Sequence, residues 1–162
     1  MRIPAGIADS QRLRLHGEGE HGAASGPTGD LYVVVHVRAH AVFLREGDDL
    51  HVEVAVPFHM MALGGSFILQ GPGGPFDLHV APGSANGIIV SHRNKGMPSV
   101  TGRGRGALHA RLVVDVPKKL SKEQTKLIEQ FGAALPKEPI QPRPVEPDSE
   151  RPFFEKVKDL FG

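Results

Sequence analysis

The chain has 162 residues, 19 basic and 18 acidic, so its net charge gives no reason to expect nucleic acid or an anionic membrane as the main partner. With no cysteine it has no disulfide framework, no thiolate nucleophile and no Cys-ligated zinc, which suits a reducing compartment. Its 20 Gly and 14 Pro, with one Tyr and no Trp, favour many short strands and tight turns over long helices. No apolar run nears the ~20 residues of a membrane span, and the start lacks a signal-peptide core. A soluble, cytoplasmic protein is expected.

In chain order, Ile3 to Leu15 reads as an extended segment, a turn at Gly6 to Ser10, and a strand at Arg12-Leu13-Arg14-Leu15. Residues Gly17 to Gly29 form a Gly-rich loop. Asp30 to Arg38 is the clearest strand, with Leu31, Val33, Val35 and Val37 on one face. The pattern breaks around Arg38 to Gly47, where a domain boundary is expected. Asp49 to Val56 alternates again, Phe58 to Leu63 fits one short helical turn, and Ser66 to Gln70 with Pro75 to Val80 reads as a strand pair around Gly71-Pro72-Gly73-Gly74. Gly87 to Ser91 and Ala107 to Val116 are the last strands. Ser121 with Gln124 makes a capping box, and Leu127, Ile128, Phe131 and Leu135 follow at helical spacing until Pro136. Residues 136–151 read as a Pro-rich linker, and 152–162 as a short terminal helix with Phe153, Phe154, Val157, Leu160 and Phe161 on one side.

The opening stretch is written twice. Ile3-Pro4-Ala5-Gly6 matches Val80-Ala81-Pro82-Gly83, and Leu31 to Val37 matches Leu108 to Val114; Gly6 and Gly83, Gly19 and Gly96, Gly29 and Gly106 all stand 77 residues apart. Similarity at a fixed offset marks a duplicated structural unit. The second unit starts near Ala41, so the first copy lacks its opening third to half. The expectation is residues 1–40 as the remainder of one β domain, 41–117 as a complete one, and 118–135 as a helix.

Chemistry-bearing patterns are few. Gly17-Glu18-Gly19-Glu20-His21-Gly22 spells a dinucleotide fingerprint, but the required helix cannot open in the Gly- and Pro-broken stretch after it, and two glutamates would repel phosphate. Gly102-Arg103-Gly104-Arg105-Gly106 offers a thin basic footprint, better read as a solvated loop than as an RNA site. Nine histidines invite a metal reading. His36 and His40 lie about 13 Å apart along a strand, too far for one ion, while His51, His79 and His109 converge only if their strands are neighbours. There is no nucleophile elbow and no assignable carboxylate pair, so no enzyme and no cofactor or metal is expected. The apolar Phe58, Met60, Met61, Leu63, Phe67 and Leu69 are more informative, and Met60 and Met61 are side chains that adaptable surfaces use.

Taken together, these blocks resemble the C-terminal peptide-binding region of the DnaJ co-chaperone family. Similar to the family are Ile3-Pro4-Ala5-Gly6-Ile7, Gly29-Asp30-Leu31-Tyr32-Val33-Val34, Phe43-Leu44-Arg45-Glu46-Gly47-Asp48, Lys95-Gly96-Met97-Pro98, Val116-Pro117-Lys118-Lys119-Leu120 and the Phe153 to Phe161 tail. The resemblance implies an all-β fold of two tandem β-sandwich-like domains, the first truncated, followed by a short helical dimerisation segment. It implies capture of unfolded client polypeptides, homodimerisation and service to a DnaK-class ATP-driven chaperone. The family's J domain and zinc module have no counterpart in these residues, so this chain alone is not expected to stimulate the partner's ATPase or bind zinc. By repeat equivalence the client contacts would involve Phe67 and Leu69, with Met61 beside them, and the dimer seam Leu127, Ile128, Phe131 and Leu135. The alternative is a purely structural oligomerisation module without client binding.

Overall fold

The computed structural model describes residues 2–21, 26–102 and 104–137. The expected helix at 152–162 and most of the 136–151 linker lie outside them. The described chain is mostly β, with two helices: β1 (Arg12–Leu15), β2 (Leu31–Val34), β3 (Leu44–Glu46), β4 (Asp49–Pro57), α1 (Phe58–Leu63), β5 (Gly65–Gly71), β6 (Gly74–Val80), β7 (Ile89–His92), β8 (Leu108–Asp115) and α2 (Lys122–Ala134). They build a two-stranded sheet β1-β2, a four-stranded sheet β3-β4-β8-β7 and a hairpin β5-β6. β4 and β8 run parallel, from Leu50 opposite Leu108 to Pro57 opposite Asp115; the other pairings are antiparallel. The short strand β3 falls where the alternation lapses.

Alternation along β4 and β8 sends Leu50, Val52 and Val56, with Leu108, Ala110 and Leu112, to one face of the sheet. Phe76, Leu78 and Val80 of β6 and Met61 of α1 close over them as one core. Leu78, Leu108, Leu112, Val52, Val56 and Val80 are the largest fully buried side chains, each stabilising by about 1.5–3 kcal/mol through removal from water. The opposite face carries His51, Glu53, His109 and Arg111. Parallel strands are usually apolar throughout because helices cover both faces. Here only one face is covered, so the strands alternate.

The duplication is visible as register. β1 and β2 pair Arg12 with Val34 through Leu15 with Leu31; β7 and β8 pair Ile89 with Arg111 through His92 with Leu108, each position 77 residues on. The corner before each pair repeats too. The amide of Val35 donates to the Gln11 carbonyl at 2.9 Å and that of Leu112 to the Ile88 carbonyl at 2.8 Å. Asp9 accepts from the Val37 amide at 2.8 Å, and Asn86 from the Val114 amide at 2.9 Å. Positive φ recurs at Gly6 and Gly83, at Ser10 and Gly87, and at Gly17 and Asn94. A Cβ on Gly19 would stand 2.8 Å from the Asp30 carbonyl oxygen, and one on Gly96 2.5 Å from that of Ala107, so equivalent close approaches demand glycine in both copies.

The copies differ in what covers them. β8 is ordered over eight residues because β4 lies along it, whereas β2 stops after four, as far as β1 reaches. The expected strand to Arg38 is therefore cut short at Val34. Arg45 of β3 ties the copies together, donating to the Ile7 carbonyl at 2.7 Å and the Gly6 carbonyl at 2.6 Å. Leu31 is 43% exposed while its counterpart Leu108 is 0%. Replacing Leu108 by Ala should thus lower the stability to urea by about 2–5 kcal/mol, and replacing Leu31 by Ala by about 1 kcal/mol or less. Equal losses would contradict the unequal cover.

Candidate peptide-binding and association surfaces

β5 is where the candidate contacts converge, and its alternation sorts them. Phe67 and Leu69 point inward and pack, half-buried, against the core; Ser66, Ile68 and Gln70 point outward. Ile68 is 66% exposed. It went unnoticed in the sequence although it lies between two polar outward positions of the same strand. Met61, expected beside Phe67 and Leu69 as a surface contact, is 3% exposed and belongs to the core. The amides of Gly83 and Ser84 donate to the Ala62 and Met61 carbonyls at 3.1 and 3.0 Å, which turns α1 onto the sheet and Met61 under it. As placed, Met61 shapes the floor and presents no surface of its own.

β5 pairs with β6 alone, so one edge of β5 carries no strand among the described residues. In an antiparallel ladder every second residue directs its N–H and C=O away from its partner. Such an edge accepts an extended chain, while side chains beside it set what that chain presents.

A second apolar surface lies on α2. Its start is the expected capping box: Ser121 Oγ accepts from the Gln124 amide at 3.2 Å, and Gln124 Oε1 accepts from the Ser121 amide at 2.8 Å. Leu127, Ile128 and Phe131, with Leu135 at the C-cap, are all exposed, and no residue of the helix is buried. Phe131 meets Phe58 of α1 with ring centroids 6.1 Å apart. A groove of about 330 Å³ lies beside this contact, lined by Phe58, Leu120, Leu127 and Ile128 among others. A larger cleft of about 960 Å³ opens between the two copies, lined by Val37, Val42, Phe43 and Met97 with Arg38 and His40.

The remaining candidates resolve into structure. The Gly19 amide donates to the Gly29 carbonyl at 2.8 Å, closing a loop instead of facing phosphate. Arg105 Nε donates to the Gly96 carbonyl at 3.0 Å; Arg103 lies outside the described residues. His79 sits in the β5-β6 hairpin beside Ser66, away from His51 and His109. Those two are neighbours, with stacked rings 4.9 Å apart. Glu46 lies 3.1 Å from His51 and Asp49 3.6 Å from His109. Among the described residues no group of three or more such side chains has metal-binding geometry.

Burial holds the His51 imidazole below its ordinary value of 6.5; His109 pushes the same way, and Glu46 opposes. Because the folded value is depressed, the unfolded chain binds the proton more readily. Stability is therefore complete above about pH 6.5 and falls as pH drops through the lower folded value. Asp9 and Asp30, held below the ordinary 3.8 chiefly by the Val37 and Gly17 amides, act only in more acidic solution. His51→Gln should flatten the fall in urea midpoint between about pH 7 and 5; an unchanged slope would contradict the assignment.

Comparison with known proteins gives the family. The family model of the DnaJ C terminal domain matches residues 1–117. The chaperone protein DnaJ of Caldicellulosiruptor saccharolyticus is 39% identical over all 162 residues, which span 40% of that protein. DnaJ of Bordetella bronchiseptica is 42% identical over 83% of the chain and 36% of its own length. DnaJ of Acidithiobacillus ferrooxidans is 43% identical over 82% of the chain and 35% of its own length. The chain thus spans about two-fifths of the length of the relatives it matches. Matched by that model over both copies of its duplicated strand pair, the chain belongs to the DnaJ C-terminal domain family.

Proposed function

We propose that this chain binds unfolded polypeptide, self-associates through α2, and supports a DnaK-class ATP-driven chaperone as part of the chaperone role its relatives are named for. The observation that carries the reading is a β5 edge with no strand on it among the described residues, combined with half-buried Phe67 and Leu69 on one face and solvent-facing Ile68 on the other. An extended client adds to such an edge by main-chain hydrogen bonds, which suits sequence-tolerant capture. No catalysis is part of this reading, and its setting is the cytoplasm. Residues 1–40 act as the remainder of a first sandwich-like domain and 41–117 as the second, with 118–135 joining protomers.

Self-association rests on the exposed Leu127, Ile128, Phe131 and Leu135. A helix of 13 residues that buries nothing is marginal alone, and a two-fold contact would remove that stripe from water. The runner-up, a structural oligomerisation module without client affinity, shares this stripe but makes no use of β5.

Two measurements separate these readings. The chain at equimolar ratio should suppress aggregation of a denatured protein, and Ile68→Asp should abolish most of that suppression while leaving the oligomeric state unchanged; no suppression by the unaltered chain would favour the runner-up. Phe131→Asp should convert dimers to monomers by light scattering. An unchanged dimer would remove α2 from the seam.

A further inference from the structure

The chain holds two asparagines, Asn86 and Asn94, and of these Asn86 precedes a glycine. Glycine brings no side chain against an approaching group, so its backbone nitrogen can reach the side-chain carbon of the asparagine before it. At Asn94 the side chain of Lys95 crowds the same approach.

The fold keeps both reacting groups of Asn86-Gly87 in other bonds. Ala85 to Ile88 forms a turn, with the Ile88 amide donating to the Ala85 carbonyl at 3.2 Å and Gly87 supplying the positive φ. The Gly87 amide donates to the Leu112 carbonyl at 2.7 Å, and Asn86 Oδ1 accepts from the Val114 amide at 2.9 Å. Both partners lie on β8, so the corner stays shut while the end of β8 is beside it. Asn86 itself is exposed, within reach of water.

The first copy shows what the corner does with a carboxylate in place of that side-chain amide. Asp9 stands at the position of Asn86 and Ser10 at that of Gly87, 77 residues earlier. The turn recurs there, with the Gln11 amide donating to the Ala8 carbonyl at 3.4 Å. The Ser10 amide donates to the Val35 carbonyl at 2.8 Å, and Asp9 Oδ1 accepts from the Val37 amide at 2.8 Å. Asparagine and aspartate thus make the same corner bond.

We propose that Asn86 is a modification site: it is deamidated through a succinimide when the end of β8 leaves the corner, and the aspartate formed returns to the corner as Asp9 does in the first copy. In the open corner the Gly87 nitrogen loses its proton to solvent base and bonds to Asn86 Cγ. The bond from Cγ to the side-chain nitrogen breaks, and that nitrogen takes up a proton and leaves as ammonia. Water then opens the ring. Cleavage of the new Cγ–N bond gives aspartate with the main chain intact, whereas cleavage at the main-chain carbonyl gives isoaspartate. The isoaspartyl main chain runs through Cβ and is too long for a turn held at both Leu112 and Val114. Nothing is oxidised or reduced, and water is the co-reactant. The proposal is independent of client capture at β5 and of association through α2.

The test incubates the full chain in mildly alkaline buffer, with and without enough urea to unfold it, and follows conversion of amide to acid by peptide mapping and mass spectrometry. Conversion at Asn86 should be about ten-fold slower or more in the folded chain, since it then waits on opening of the corner. In urea Asn86 should convert well ahead of Asn94. Equal rates at Asn86 in folded and unfolded chain would refute the gate, and a rate in urea no faster than that of Asn94 would remove the site. The fit of the product is read separately. Asn86→Asp should keep the urea midpoint of the unaltered chain, while Asn86→Ala, which deletes the acceptor of the Val114 amide, lowers it. A midpoint for Asn86→Asp as low as that of Asn86→Ala would overturn the return of aspartate to the corner. Should Asn86→Ala fail to fold, Asp9→Asn makes the reverse exchange in the first copy; an unchanged midpoint supports the equivalence and a lowered one refutes it.

Discussion

The parallel pairing of β4 with β8 is the contact on which the rest of the molecule depends. It brings Leu50, Val52 and Val56 beside Leu108, Ala110 and Leu112, segments more than fifty residues apart, and makes one apolar surface from two strands that could not bury their faces alone. β6 and Met61 close that surface, β3 and β7 flank it, and Arg45 on β3 reaches out to hold the carbonyls of Gly6 and Ile7. A parallel crossover this long is slow to form, because loop closure precedes the contacts that reward it.

Within the described residues the first copy serves as a control for this contact. It has the same corner, the same strand register and the same left-handed positions as the second, yet its strand is half as long and its apolar face is open. Local sequence is therefore sufficient for the antiparallel pair and the turn chemistry. The eight-residue strand and its burial need the parallel neighbour. Among the described residues β5 and β2 each pair on one side only, and the apolar stripe on α2 is exposed.

Much of this was legible in the residues. The constant spacing of Gly6, Gly19 and Gly29 from Gly83, Gly96 and Gly106 announced the duplication; at the first two pairs the demand itself recurs, positive φ at Gly6 and Gly83 and a close backbone approach at Gly19 and Gly96. Ser121 with Gln124 announced the start of α2, since capping is decided by neighbours four residues apart at most. Long-range facts were not legible. The parallel pairing, the edge strand β3 and the burial of Met61 all depend on which distant strand lies alongside. Alternation marked Phe67 and Leu69 as sharing a face, but only the hairpin's placement showed that face turned to the core and Ile68 turned to water. Periodicity likewise extended β2 to Arg38, for a strand's length is set by its neighbours as much as by its own side chains.

Native-state hydrogen exchange tests the central role of the β4–β8 contact most directly. If that contact holds the molecule together, the β8 amides of His109, Arg111 and Val113 will exchange only through global unfolding. Those of Tyr32, Val34 and His36 in the first copy will exchange orders of magnitude faster, through local opening. Equal protection of the two sets would contradict the account.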